Sequence, residues 1–225
     1  MPTVVEAAPV DGAVARSLRG LGPLGITAVV VIALVGPLPG GLLVLLWVSA
    51  SHTPWHAIGY VRPASWSRTV TGGLAFGILF KLVMKILVMP LLGAPPVNAA
   101  YHYLVGNVAA VAAMAIYVIL AAGFGEETLY RGFLFERFEK LLGSRVAMKA
   151  LIVLITSAWF AAAHYRDQGI PGAEQAAVTG IVFGTIFART GRIWMPMVAH
   201  AAFDLTALAI IYWNLESPMA HLFFK

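Results

Sequence analysis

Apolar stretches of the length that crosses a lipid bilayer recur along this sequence and limit the folds open to it. A membrane helix needs about 20 predominantly apolar residues, and 60% of the 225 residues are hydrophobic while 11% are charged. One soluble core could not bury that much apolar surface. We therefore predict an all-α polytopic transmembrane helix bundle of about six to seven membrane helices. The clearest predicted spans are Gly72–Leu92, Tyr103–Ala122, Val146–Ala163, Ala173–Ala188 and Ile193–Trp213.

The beginning of the chain has a different composition from the rest. Residues 1–22 are small, polar and contain Gly, with Arg16 and Arg19 just before the first apolar run. We expect a flexible N-terminal tail at 1–22 and a single transmembrane domain at 23–225. Within that domain Leu24–Ala50 is apolar but broken by Pro and Gly between positions 36 and 41, which leaves each half short for a span. This stretch is either one kinked span or a tight hairpin.

Charge and cysteine content narrow the class of protein further. The net charge is +5, but the basic residues are scattered between apolar runs instead of forming one patch, which favours loops beside anionic lipid over nucleic-acid binding. The absence of cysteine excludes disulfides and thiolate ligands. We expect an integral protein of a bacterial cell membrane, with the bilayer and no nucleic acid as partners; the sequence leaves its oligomeric state open.

Two adjacent carboxylates, Glu126 and Glu127, stand between apolar runs. A charge in hydrocarbon costs at least a few kcal/mol, so an intramembrane acid indicates a functional site. Residues four apart share a helix face, which places Glu127 beside Arg131 and Glu126 beside Tyr130. Glu126 is left freer, and we predict that it acts as a general base. The alternative is a helix N-terminus after a break at Gly123, where acids complement the helix dipole.

Two histidines and a further acid lie in or beside apolar runs. Counted from the turn at Gly143, Glu126 lies about 17 residues back and His164 about 20 residues forward, so an antiparallel hairpin brings them to a similar height. His200 and Asp204 are four apart on the last span. They read either as a His–Asp hydrogen bond that joins helices, or as a metal-binding or water-positioning pair. For His164 the alternative is an interfacial residue at a helix end.

Lys81 and Lys85 lie one helical turn apart within a predicted span. The simpler interpretation is two lysines whose ammonium groups reach back to the membrane surface. The other is a cationic face turned toward the acidic site or toward a substrate carboxylate.

Three motifs in this order carry a family resemblance. Glu126-Glu127-x-x-x-Arg131, Phe160-x-x-x-His164 and His200-x-x-x-Asp204 resemble the motifs of the CAAX-protease and bacteriocin-processing (CPBP, Abi) family of intramembrane proteases, over about residues 100–213. The resemblance implies a catalytic core below the membrane surface and peptide-bond hydrolysis. It implies that Glu126 activates water with His164 and His200, supported by Glu127 and Arg131. The third motif of the family usually ends in Asn, and this chain has Asp204, which cannot donate a hydrogen bond when ionised.

The resulting expectation is an intramembrane endopeptidase, CAAX prenyl protease-like, that acts on a peptide or membrane-protein substrate. It could be a metalloprotease, with Zn²⁺ or another divalent metal held by Glu126, His164, His200 and Asp204, or a glutamate-dependent protease without metal. The alternatives are a proton- or ion-coupled transporter, which also uses intramembrane acids, and a non-catalytic immunity or scaffold protein. Matching broken helices of a transporter are not evident in the sequence.

Overall fold

The computed structural model describes residues 12–224, and within that range the chain is helical and contains no strand. This confirms the predicted all-α polytopic bundle. The helices in chain order are α1 Ala13–Arg19, α2 Pro23–Leu34, α3 Pro37–Ser51, α4 Trp66–Leu91, α5 Val108–Leu142, α6 Val146–Thr190, α7 Trp194–Tyr212 and α8 Glu216–Ala220, with short 3₁₀ turns at Trp55–Ile58 and Ala99–Leu104.

Four of the described helices, α4 to α7, are long and apolar enough to cross a membrane, and the pair α1 and α2, bent by 57°, makes a fifth candidate. Helix α6 doubles back on itself at Gly169, where φ is 64° and ψ is −160°. Its two arms, 146–168 and 170–190, are therefore two separate helical segments.

The two arms of α6 run antiparallel. A Cβ built on Gly180 would lie 2.9 Å from Ser157 Cβ, and one built on Gly184 would lie 3.2 Å from Val153 Cγ1. Because 180 pairs with 157 and 184 with 153, the chain reverses near Gly169, as the two predicted spans require. The polar segment between them, expected as a loop, is wound into the helix ends except at Gly169.

The start of the chain differs from the flexible tail expected at 1–22. Residues 1–11 lie outside the described part, but α1 is a regular helix with its end fixed to the bundle. Trp47 Nε1 donates to Leu18 O at 3.1 Å, and Arg137 Nη1 donates to Arg19 O at 2.9 Å. Backbone carbonyls left free at a helix end need such donors, which the composition of the segment did not reveal.

Helices α2 and α3 show which of the two predictions for Leu24–Ala50, one kinked span or a tight hairpin, is correct. Gly36, with φ of 94°, separates them, and a Cβ on Gly40 would meet Ile32 O at 2.8 Å. Trp47, near the end of α3, bonds to Leu18, just before α2 begins. The chain therefore goes out along α2 and returns along α3, so the stretch is a helical hairpin.

Helix α5 carries the two adjacent acids and has no break at its glycines. Its central part, Val118–Leu134, is a π-helix, a wide helical geometry found mostly at functional sites. A Cβ on Gly125 would lie 2.5 Å from Pro37 O, and one on Gly123 would lie 3.1 Å from Met197 O. The glycines thus let α3 and α7 approach the backbone of α5, and the alternative of a helix N-terminus after a break at Gly123 is wrong.

Helices α4 and α7 pack side by side through small residues. A Cβ on Gly73 would lie 2.8 Å from Val198 Cβ, and one on Gly77 would lie 2.1 Å from Ala199 O. Since both residue numbers rise together, the two helices run parallel. The next turn of α4 brings Lys81 to Phe203, with Nζ 4.7 Å from the ring centroid.

Candidate active site

A buried chain of polar contacts links α5 to α7. Arg131 Nη1 lies 3.0 Å from Glu127 Oε1, and the same oxygen lies 2.7 Å from His200 Nδ1. The Glu127 side chain has no exposed surface, and those of Arg131 and His200 are 3% and 5% exposed. The predicted i,i+4 pair of Glu127 with Arg131 is therefore present, and Glu127 also binds a histidine from another helix.

The hydrogen bond to Glu127 fixes how the His200 ring is used. An ionised carboxylate only accepts, so Nδ1 donates its proton to Glu127 and Nε2 turns the other way. Nε2 lies 3.7 Å from Glu126 Oε2 and 3.7 Å from Asp204 Oδ2. His200 is thus held by one carboxylate and faces two others.

Glu126 occupies a different environment from its neighbour. Its side chain is 14% exposed and lines an internal cavity, while Oε2 is buried and has no hydrogen-bond partner within residues 12–224. A buried carboxylate oxygen without a donor is costly unless a bound molecule supplies one. Glu126 is therefore the carboxylate of the pair that is open to water or substrate.

Asp204, the acid of the third motif, is more accessible than Glu126 and Glu127, with 25% of its side chain exposed. Its closest approach to His200 Nε2 is 3.7 Å, longer than a hydrogen bond. The interpretation of this motif as a self-contained His–Asp bond is therefore wrong, because the hydrogen bond of His200 goes to Glu127.

His164 joins the same cavity from the first arm of α6. Its Nδ1 lies 2.9 Å from Phe160 O, one turn earlier, so Nδ1–H donates to that carbonyl and Nε2 is left free. The Phe160 ring stands between the two histidines, 4.4 Å from His164 and 6.0 Å from His200 between ring centroids. The structure thus brings both histidines to one aromatic ring.

Two aromatic rings pack against Arg131. Its guanidinium carbon lies 4.8 Å from the centroid of Phe160 and 5.8 Å from that of Phe183. Ring faces attract a cation, and the guanidinium stacks well on them. This packing holds the cation that in turn holds Glu127.

The cavity has a volume of about 460 Å³, within the usual range of ligand-binding pockets. All the predicted site residues except Glu127 and Arg131, which support His200 from behind, line it. Polar residues outside the predicted site residues also line it: Lys81, Lys85, Tyr101, Gln168, Gln175, Thr179 and Glu216. Of these, the sequence pointed only to Lys81 and Lys85, through the interpretation of a cationic face turned toward the site.

The two lysines of α4 point inward. Lys81 is 7% exposed and Lys85 Nζ lies 3.2 Å from Glu216 Oε1, so neither reaches back to the membrane surface. The interpretation as surface-seeking lysines is wrong, and the cationic-face alternative describes where they are.

Tyr101 lies outside the candidate spans, in the turn Ala99–Leu104, and covers one side of the cavity. Burial, reinforced by the charge of Asp204, raises the pKa of Tyr101 to about 12. Its hydroxyl therefore stays neutral at physiological pH, and it accepts from Gln168 Nε2 at 3.2 Å.

The four tentative metal ligands, Glu126, His164, His200 and Asp204, all line the cavity. In the described part of the chain no group of three or more His, Asp or Glu side chains is arranged to hold a metal ion.

Comparison with known proteins points to one family. Residues 108–206 match the family model described as type II CAAX prenyl endopeptidase Rce1-like. The match covers the three motifs and confirms the resemblance stated from the sequence. No curated protein and no solved structure matches the chain significantly. Together with its apolar helices, the match supports an integral membrane protein of the protease class.

Proposed function

We propose that this chain, whose residues 108–206 match the Rce1-like CAAX prenyl endopeptidases, is an intramembrane endopeptidase. It hydrolyses a peptide bond near or within the membrane. Glu126 is the general base that activates water. The observation that carries this assignment is that Glu126, unlike Glu127, lines the cavity, with its Oε2 3.7 Å from His200 Nε2.

Glu126 has the placement that proton transfer requires. A water between its carboxylate and the substrate gives up a proton to Glu126, and the oxygen of that water attacks the carbonyl carbon. When the C–N bond breaks, the same carboxyl group returns the proton to the leaving amine. One group therefore serves as base and then as acid, and the protons balance.

Glu127 and Arg131 support this step without lining the cavity. Glu127 holds the His200 Nδ1–H, so His200 keeps one ring orientation and presents Nε2 to the reacting atoms. Arg131 offsets the charge of Glu127, which is fully buried. Both are positioning residues, because neither lines the cavity.

His164 and Asp204 complete the lining next to the base. The Nδ1–H of His164 is held by Phe160 O, so Nε2 accepts a hydrogen bond from the attacking water. Asp204 occupies the position of the Asn in the family motif. In its protonated form it can donate to the oxygen of the tetrahedral intermediate, as an amide would.

One feature favours a peptidase over a transporter. The cavity combines a base, a held histidine and a further donor, the set that acyl transfer to water requires.

The deciding experiment compares wild type, Glu126→Gln and a matched control, Glu139→Gln. Glu139 is a partly exposed acid that pairs with Lys149 at 3.3 Å, on the same helix as Glu126. Release of C-terminal fragments from prenylated and unprenylated CAAX peptides is followed by mass spectrometry. We expect Glu126→Gln to lower turnover by about 10²-fold to 10⁴-fold without loss of thermal stability, and Glu139→Gln to keep it. Equal cleavage by all three proteins would remove Glu126 from this role.

A further inference from the structure

One continuous segment, residues 94–101, joins the end of α4 to the start of α5 and forms part of the cavity wall. All of its residues except Pro96 line the cavity. Shortly after the segment, Gly106 N donates to Tyr212 O at 3.1 Å. Tyr212 lies twelve residues after His200 on α7, about 18 Å along the helix axis. The segment therefore forms the wall of the cavity at the end remote from the catalytic groups.

This segment has little packing of its own. None of residues 94–103 is buried, and the chain is anchored again only at Leu104, which is fully buried among apolar side chains of α5 and α7. At the other end Gly93 has φ of 76°, and a Cβ built there would meet nothing within 4 Å. A glycine in open space absorbs changes of φ and ψ at low cost. Segments with few buried contacts also open at a lower free energy than the core does.

Two side chains from other helices hold the backbone of the segment. Lys85 Nζ, on α4, donates to Pro96 O at 2.6 Å, and Glu216 Oε1, on α8, accepts from Asn98 N at 3.1 Å. The two side chains are themselves paired, with Lys85 Nζ 3.2 Å from Glu216 Oε1. This ion pair therefore joins α4, α8 and the segment at one point.

A third contact holds the far end of the segment. Gln168 Nε2 donates to Tyr101 Oη at 3.2 Å, and Gln168 directly precedes Gly169, where α6 reverses. The three side chains that hold the segment, Lys85, Gln168 and Glu216, all line the cavity. Losing one neutral hydrogen bond shifts an equilibrium by about twofold to tenfold. A few such contacts keep a segment closed and still allow it to open.

We propose that residues 94–101 form a lid, which swings about Gly93 to admit a peptide to the cavity and then returns to the position seen in the structure. Pro95 and Pro96 have fixed φ angles, so the lid moves as a stiff strap. The proposal rests on the peptidase function for the identity of the guest, and it adds the route by which the site is reached. A closed lid keeps bulk water from the reacting groups.

The test measures access to the cavity, so it does not depend on turnover. Ala207 lines the cavity on α7, between Asp204 and the end of the helix beside the lid. Because the chain has no cysteine, Ala207→Cys introduces a single thiol. Its reaction with 2-(trimethylammonium)ethyl methanethiosulfonate, a cation that does not enter lipid, is followed by intact mass spectrometry in lipid nanodiscs. Ser144→Cys, in the exposed turn before α6, supplies the reference thiol.

The lid is loosened from either side of one hydrogen bond. Tyr101→Phe removes the acceptor and Gln168→Leu removes the donor. We expect each change to raise the labelling rate of Ala207→Cys by about twofold to tenfold, because the open fraction of the lid increases. The double variant should show no further increase, since both changes break the same bond. The control is Tyr103→Phe, at an exposed tyrosine of the same turn that lies outside the cavity, and it should leave the rate unchanged.

Three results would overturn the proposal. They are labelling of Ala207→Cys as fast as that of Ser144→Cys with the lid intact, equal labelling with and without the Tyr101 hydroxyl, and an equal increase with Tyr103→Phe. Should Tyr101→Phe fail to fold, Gln168→Leu decides in its place. Absence of peptide cleavage by wild type would refute the proposed function while leaving the labelling result, and with it the lid, standing.

Discussion

His200 Nδ1 lies 2.7 Å from Glu127 Oε1, and this hydrogen bond is the link between two helices on which the geometry of the site depends. The adjacent acid, Glu126, contacts the opposite edge of the same ring from 3.7 Å. Neighbouring residues on one helix therefore have different surroundings, because Glu127 bonds to the histidine and Glu126 lines the cavity.

Replacing Glu127 with Ala should harm folding more than replacing Glu126 with Ala. The first change leaves Arg131 and His200 buried without their carboxylate, and removing one partner of a buried pair typically costs about 3 to 5 kcal/mol. The second removes a carboxylate that has no hydrogen-bond partner on Oε2. Thermal melting of both variants in the same detergent measures the difference. Equal melting temperatures would contradict the contacts described for Glu127.

Replacing His164 with Ala should lower cleavage with little loss of stability. His164 is only partly buried and bonds to a carbonyl of its own helix, so the fold loses little without it. The water loses one acceptor, which we expect to reduce kcat by about 10²-fold. The measurement is kcat at matched protein stability. The control is His221→Ala, because His221 lies outside the cavity and its Nδ1 also contacts the backbone carbonyl four residues earlier. Unchanged kcat would assign His164 a structural role.

Asp204→Asn should retain activity, whereas Asp204→Ala should lose it. The Asn side chain keeps an N–H group that can donate to the oxygen of the tetrahedral intermediate, and Ala has no donor at this position. We expect Asp204→Asn to keep kcat within about tenfold of wild type, and Asp204→Ala to lose about 10²-fold or more. The measurement is kcat of both variants at matched thermal stability. An Ala variant as active as wild type would show that Asp204 does not act as a donor.

Two glycines on α4 make a matched pair for the packing of the site. A Cβ at Gly77 would lie 2.1 Å from Ala199 O, next to His200, whereas a Cβ at Gly72 meets nothing within 4 Å. Gly77→Ala should push α7 away and lower both the melting temperature and kcat. Gly72→Ala should be neutral or slightly stabilising, because Ala favours the helix. Identical behaviour of the two variants would argue against the close approach of α4 and α7.

Local spacing predicted the parts of the site that lie on one helix. The pair of Glu127 and Arg131 follows from residues four apart sharing a face, and the polytopic helical fold follows from apolar runs of sufficient length. The bond between Glu127 and His200 could not be found in this way, because the periodicity of a helix does not say which neighbour it packs against. The role of Gly123 could not be predicted for the same reason, since a glycine can either end a helix or let a second helix pack closely against it.

The direction in which the Lys81 side chain points could not be predicted, for a related reason. A lysine within an apolar run either returns to the membrane surface or turns into a polar cavity, and the choice depends on whether other helices leave such a cavity. Here Gln175, from the second arm of α6, supplies the acceptor inside. The sequence separates these two residues by 94 positions, so only the assembled bundle reveals the contact.

The reversal at Gly169 also makes the molecule suitable for a covalent latch. A Cβ at Gly184 would lie 3.8 Å from Val153 Cβ, a separation that a disulfide can bridge. The chain has no cysteine of its own, so V153C and G184C would introduce the molecule's two thiols and nothing else that oxidants could join. Oxidation would then lock the arms of α6 together and reduction would release them, so the dependence of activity on the relative motion of these arms could be measured in a single sample.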